Sequence, residues 1–156
     1  MGMDHTEKLS CSFYAKIDKP IEEVFDAVFS GSKINGYFAT GSKPADLVEG
    51  TTVYWSFHDH PEFPPFPVKV VITEKDQLIH LQWGSGIEDG WNDVKIEFER
   101  LESNANQTLV RVTESGWPNT PEGVKNCSGN CGGWSNMLAC LKVYVEYGKN
   151  LREFMF

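Results

Sequence analysis

The sequence predicts an α+β domain in which a long C-terminal helix lies on the dry face of an antiparallel sheet. Three observations carry this. From residue 45 to 116, short segments alternate apolar and polar residues with a period of two, as strands with one buried face do. Beyond residue 133 the apolar residues instead recur at helical spacing, which marks an amphipathic helix. At 156 residues, 40% hydrophobic and 23% charged, the chain has the length and composition of one soluble domain. Such a domain buries about 68–70% of its unfolded surface without needing disulfides or metal.

The elements follow in order. Residues 1–8 are expected to be a flexible N-terminus, and 9–156 a single domain. Leu9, Cys11, Phe13, Ala15 and Ile17 alternate with polar or smaller residues and predict a strand over 9–17. Pro20 suits a first helical position, and Glu22 and Glu23 complement the positive end of the helix dipole. Ile21, Val24, Phe25 and Val28 give that helix one apolar face, and Gly31 is a plausible stop. A second short helix is expected from Lys33 to Phe38. Strands are expected at 45–49, 52–59, 66–74, 77–84, 91–100 and 107–116. The clearest alternations are Val68/Val70/Ile72, Ile79/Leu81/Trp83, Val94/Ile96/Phe98 and Val110/Val112. The four prolines between Pro61 and Pro67 exclude a central strand there. A polar loop over 120–132 then leads into a final helix of about 20 residues. Trp134, Met137, Leu138, Leu141, Tyr144, Val145, Leu151 and Met155 form its apolar arc.

Composition excludes several classes of function. The net charge of −8, with only three arginines and no basic run, argues against nucleic acid and against anionic membranes. No stretch is long and apolar enough to span a membrane. The first residues lack an apolar signal-peptide core, and Gly2 with Thr6 matches only the loose myristoylation pattern. Cys11, Cys127, Cys131 and Cys140 form no CxxC pair, so reduced thiols in a cytoplasmic protein are expected.

Candidate chemistry is sparse. Trp55, Phe57, Trp83, Phe98, Trp134, Leu138 and Leu141 share the inward parity or the inward helix face. Singly each suits core packing. Together, in a chain with 10 Phe, 5 Tyr and 5 Trp, they also suit the wall of an apolar pocket. Glu114 continues the parity of Val110 and Val112. It either points inward, where it could orient a ligand or act as a base, or turns to solvent at the strand end. His58-Asp59-His60, with Glu62 beyond, has the residue types of a metal site but no third ligand with recognisable spacing, so no metal is expected there. Cys127 and Cys131, four residues apart in the expected loop, suit a thiol switch or chance proximity. Gly84, Gly86 and Gly90 open no helix, so the dinucleotide fingerprint fails on context. No nucleophile elbow and no P-loop occur.

Four motifs in order along the chain carry a family resemblance. They are Pro20-Ile21-Glu22-Glu23-Val24-Phe25, Gly50-Thr51-Thr52-Val53-Tyr54-Trp55, Thr113-Glu114-Ser115-Gly116-Trp117, and Gly133-Trp134 with Leu138 and Leu141. The chain resembles the START-like or helix-grip superfamily (SRPBCC). The nearest branch is the one named for the C-terminal domain of the activator of the 90-kilodalton heat-shock protein ATPase. It departs from that branch at Gly36-Tyr37-Phe38, which lacks the usual tryptophan, and in the Gly-, Asn- and Cys-rich stretch 120–132. The resemblance implies a curved sheet wrapped around the long helix, two short helices after the first strand, and a cavity between sheet and helix. It further implies a hydrophobic or amphipathic small-molecule ligand held by Trp55, Phe57, Trp83, Phe98, Glu114, Trp134, Leu138 and Leu141. No cofactor and no catalytic residue are expected. Two other functions are compatible with the resemblance: a co-chaperone partnering a heat-shock chaperone, and a cyclase or hydratase. The stimulating protein of that branch has a further N-terminal domain for which this length leaves no room. An enzyme would need a second inward acid–base group beside Glu114, and His80 has the outward parity.

Overall fold

In a computed structural model, which describes residues 7–155, six strands form one antiparallel sheet. They are β1 (Leu9–Ile17), β2 (Thr52–Trp55), β3 (Phe66–Glu74), β4 (Leu78–Gly84), β5 (Trp91–Leu101) and β6 (Asn104–Trp117). Helices α1 (Ile21–Phe29) and α2 (Gly31–Ile34) follow β1, and α3 (Pro121–Tyr147) follows β6, ending in a short 3-10 turn at Leu151–Phe154. The sheet order is β1-β6-β5-β4-β3-β2. The two edge strands are therefore separated in sequence by both short helices. The expected α+β helix-grip architecture is the one observed. Of the segment expected to be flexible, residues 1–6, including Gly2, lie outside the described residues; Glu7 and Lys8 are exposed and precede β1.

The dry face is set by the alternations in the sequence. Val68, Val70, Ile79, Leu81, Val94, Ile96, Phe98, Val110 and Val112 are all buried and belong to one core with α1 and α3. Burial of this kind contributes about 25 cal/mol per Å² of apolar surface and dominates the stability. Ile72 breaks the pattern. A bulge at Val71 lets Val70 pair with Leu81 but Ile72 with His80, so Ile72 shares the outer face with His80, and Thr73 takes the inward place opposite Ile79.

Several boundaries differ from the sequence expectation. Residues 45–49 are not a strand. They cross the short helices, where Leu47 N donates to Phe29 O (2.9 Å), Leu47 O accepts from Thr73 Oγ1 (2.7 Å) and Leu47 is fully buried. Strand β2 stops at Trp55 because the next backbone groups are taken elsewhere: Ser56 N donates to Ser42 Oγ (2.8 Å) and Ser56 O accepts from Gly41 N (2.9 Å). Gly31 does not end the first helix; Ser30 caps α1, and Gly31 opens α2. Five strands, not six, follow the short helices.

The largest difference is the start of the C-terminal helix. It runs unbroken for 27 residues from Pro121, through the stretch expected as a loop. Thr120 caps it by accepting from Gly123 N (3.1 Å), Pro121 occupies the first turn and Glu122 faces the dipole, all conventional start signals. Glycine and asparagine at 123, 126, 129, 130, 132 and 133 have poor helix propensity, but packing on β1 and β6 overrides it. Gly148, in the left-handed conformation (φ 68°), ends the helix, so Leu151 and Met155 belong to the turn beyond rather than to its arc. The C-terminal half is tied back to β1: Lys142 Nζ donates to Lys16 O (2.8 Å) and pairs with Glu146 (2.9 Å), which accepts from Asp18 N (2.9 Å).

Two local constraints generate testable outcomes. A Cβ on Gly31 would stand 2.2 Å from Ala45 N, and Gly31 N donates to Asp46 Oδ1 (2.9 Å). Gly31→Ala is expected to destabilise the fold by about 3 kcal/mol, the upper range for overpacking, read by urea denaturation. The 3-10 turn docks through Arg152, whose Nε donates to Asp59 Oδ1 (3.0 Å) with both side chains nearly buried. Burial pushes the Asp59 carboxyl up, but the guanidinium's hydrogen bond and charge outweigh it, and the net shift is downward. A carboxyl held low adds stability above its unfolded value, near 4. That contribution is lost as pH falls through the lower native value. Asp59→Asn should therefore cost about 3 kcal/mol at pH 6, and its stability gap from the parent chain should close on acidification, checked by denaturation midpoints across the acid range.

Candidate functional site

The site is built around aromatic rings. Phe38, Phe57, Phe66, Trp83 and Trp134 form a closed circuit in which each ring touches the next. Centroid distances are 5.3 Å for Phe38–Phe57, 5.9 Å for Phe57–Phe66, 5.8 Å for Phe66–Trp83, 5.1 Å for Trp83–Trp134 and 5.5 Å for Trp134–Phe38. Trp55 spans the circuit edge-on, 5.4 Å from Phe38 and 6.2 Å from Trp83, and is 2% exposed. Tilted and edge-to-face pairs at these distances add about 0.5–1.5 kcal/mol each beyond area burial. The circuit joins β3, β4, α3 and the two segments flanking β2.

Above the circuit lies a half-enclosed cleft of about 450 Å³. It is lined by the rings of Phe38, Phe57, Trp83 and Trp134, by His60, Phe63 and Arg152, and by Gly129, Asn130, Gly132, Gly133 and Asn136 of α3. Its size suits a small-molecule site. A Cβ added to Gly129, Gly132 or Gly133 would meet no atom within 4 Å. Core packing therefore does not demand glycine at these positions. Each glycine costs the helix about 1 kcal/mol relative to alanine, and what it leaves in return is open space beside the rings.

Glu114 lies behind the wall, fully buried. Of the two orientations the sequence left open, the inward one is observed. Its Oε1 accepts from Trp83 Nε1 (2.5 Å), and both carboxylate oxygens accept from Asn130 Nδ2 (2.9 Å each). Burial raises its pKa; the amide and indole donors, Asn130 first and then Trp83, oppose that rise without cancelling it. Trp134 and Asn92 act in the same lowering sense, although Trp134 Nε1 and both polar atoms of Asn92 lack a hydrogen bond of normal geometry. The arrangement stores a carboxyl group beneath the cleft rather than presenting it, and among the described residues its hydrogen-bond partners are an indole and an amide.

The residues expected to hold a ligand thus divide. Phe57, Trp83 and Trp134 line the cleft. Trp55 is the floor below the circuit. Glu114 braces Trp83 and Asn130 from behind. Phe98 packs edge-on to Phe25 (5.2 Å) in a different part of the core, and Leu138 and Leu141 are buried between α3 and the sheet. Sequence reasoning missed Phe38, His60, Phe63, Arg152 and the α3 glycines and asparagines. The glycines carried the signal, since three within five residues of a helix are unexpected unless something must approach its backbone. Of the histidine cluster, His60 Nδ1 lies 3.2 Å from Glu62, and His58 Nδ1 bonds Thr40 Oγ1 (2.6 Å) instead.

The sequence pattern of the family described as Activator of Hsp90 ATPase homolog 1-like protein matches residues 18–146. Comparison with curated proteins gave no match. Among solved structures, the protein SSP2350 from Staphylococcus saprophyticus is 27% identical, with a TM-score of 0.72 over 92% of this chain and 96% of that one. The Aha1 dimer from Colwellia psychrerythraea, solved in solution, is 20% identical, with a TM-score of 0.72 over 91% and 99%. DynU16, a putative protein in the dynemicin biosynthetic locus, is 20% identical, with a TM-score of 0.71 over 90% of this chain and 48% of that one. No helix among the described residues is long and apolar enough to cross a membrane. With the family pattern covering most of the chain from α1 to the end of α3, this protein belongs to the Activator of Hsp90 ATPase homolog 1-like family.

Proposed function

We propose that this protein binds a flat, hydrophobic or amphipathic small molecule in the cleft between the sheet and α3, acting in the cytoplasm. The observation that carries the reading is that the rings and Gly129, Gly132 and Gly133 line one cleft, with open space where the glycine side chains would stand. A ligand sandwiched there would stack on Trp83 or Trp134 and lie against bare helix backbone. Asn130, its Nδ2 committed to Glu114, leaves its carbonyl oxygen to accept from a ligand hydroxyl. Arg152, stacked 4.6 Å from the Phe57 ring centroid and paired with Asp59, puts a polar ion pair at one end, which favours a ligand with a polar group there. Glu114 serves as a brace for Trp83 and Asn130, not as a base. That role separates this reading from a cyclase or hydratase, which would need the carboxyl exposed to substrate.

Family membership supports a second reading, stimulation of a heat-shock chaperone's ATPase. It is tested by adding the protein to the purified chaperone: a saturable rise in ATPase rate supports it, and an unchanged rate rejects it.

The binding reading is tested by titrating tryptophan fluorescence and backbone amide shifts with fatty acids, flavonoid-like aromatics and polyketide-like compounds. Saturable quenching is expected, with shifts centred on Phe38, Trp83 and residues 129–134. Gly133→Ala should raise stability by about 0.5–1 kcal/mol. Gly133→Leu should fill the cleft and weaken binding at least about tenfold, the worth of one misplaced apolar group, without lowering the melting temperature. No saturable response to any class, in a folded sample, would leave the rings as core only.

A further inference from the structure

The thiols of Cys11, Cys127 and Cys131 converge. Their three Sγ atoms all lie within 4.8 Å of one another, and all three residues are partly exposed. Cys127 and Cys131 stand one turn apart on α3, and Cys11 faces them from β1, in register with Glu114. None of the three cysteines lines the cleft. At 100° per residue, positions 127 and 131 fall on roughly the opposite side of the helix from 129, 132, 133 and 136, although Trp134 stands on their side. The thiols thus share no lining residue with the cleft.

From this geometry we infer that Cys11, Cys127 and Cys131 form a binding site for a single thiophilic metal cation of closed shell, Zn²⁺ or Cu⁺. Zn–S bonds of about 2.3 Å at tetrahedral angles place sulfurs about 3.8 Å apart. The observed separations need only side-chain rotations of about 1 Å to reach that. Sulfur-only donors select Zn²⁺ and Cu⁺ over harder ions. Three protein sulfurs leave a trigonal site for Cu⁺, or a fourth position open to solvent for Zn²⁺. Each thiol releases its proton to solvent as its sulfur takes the metal, and no electron is transferred.

A disulfide is the competing use of the same sulfurs, and one pairing is excluded by geometry. Residues four apart on a helix hold their Cβ atoms about 5–6 Å apart, whereas a disulfide requires about 3.5–4.5 Å. Cys127 and Cys131 therefore cannot join while α3 is intact.

The test uses the full chain with its thiols reduced. Zn²⁺ is titrated against a chromophoric chelator, and Cu⁺, under anaerobic conditions, against bicinchoninate. One equivalent of either ion is expected to bind, and the ion retained in direct competition assigns the site. Bound metal should slow alkylation of Cys11, Cys127 and Cys131, mapped by mass spectrometry, and leave Cys140 unchanged. Cys11→Ser, Cys127→Ser and Cys131→Ser should each weaken binding by at least the roughly 100-fold that loss of an outer-shell partner can cost; Cys140→Ser should not. Should a serine variant fail to fold, the alkylation map of the unmutated chain decides alone. Absence of stoichiometric binding of both ions, binding that survives removal of all three cysteines, or a Cys11 disulfide forming in the presence of one equivalent of metal would each overturn the site.

Discussion

A fully buried carboxyl group governs how the C-terminal helix sits on the sheet. Left alone in an apolar interior, the charge on Glu114 would cost several kcal/mol, so it must be hydrogen-bonded, protonated or both. Its donors come from two other elements: the indole of Trp83 on β4 and the amide of Asn130 on α3. The parity of β6 sends Glu114 inward, and that in turn fixes the rotation of α3 about its axis. With Asn130 held over the carboxylate, Trp134 one turn on meets Trp83 and Phe38. The glycines are thereby turned to the cleft and the cysteines to β1.

That single rotation explains why one helix carries two chemically different surfaces. On the cleft side it is stripped of side chains at 129, 132 and 133; on the opposite side it presents sulfur. Neither surface stabilises the helix. Three glycines weaken it by about 1 kcal/mol each relative to alanine, and partly exposed thiols bury little area. The stabilising work falls to Met137, Leu138, Cys140 and Leu141 farther along, and to the Lys142–Glu146 clamp onto β1. The N-terminal half of α3 is thus the part freest of packing demands, and it is the half in which cleft, brace and thiols all fall.

The sheet was legible because its signal is local. Val94, Ile96 and Phe98, or Val110, Val112 and Glu114, need only parity to be placed. The bulge at Val71 was not legible, since it depends on which carbonyls of β4 are offered to β3. The 45–49 segment reads as a strand by composition but is held by contacts with Phe29 and Thr73. The start of α3 was written in Thr120-Pro121-Glu122, yet the glycines and asparagines after it outweighed those signals in a reading by propensity. That one misreading had a consequence for function. With 120–132 taken as loop, Cys127 and Cys131 could not be seen as successive turns of one helix face, nor Gly129 and Gly133 as another. The ring residues were found by parity, but which of them reach the cleft depends on the short helices placing Phe38 between Trp55 and Trp134, a tertiary fact.

The floor of the cleft also argues for what kind of ligand the fold admits. In a cavity that runs to the centre of a sheet, Phe98, Leu138 and Leu141 would be part of the wall. Here all three are buried in the core, Phe98 edge-on to Phe25 of α1, and Trp55 stands beneath the ring circuit. On the proposed binding reading, a ligand would meet ring faces, helix backbone and Arg152. A long acyl chain needs a deep tunnel to bury its methylenes, about 0.8 kcal/mol for each. A fused or linked aromatic system can instead gain its burial by stacking on the rings of the cleft. If the proposed binding reading holds, the packing of Phe98 against Phe25 and the place of Trp55 favour planar over chain-like molecules.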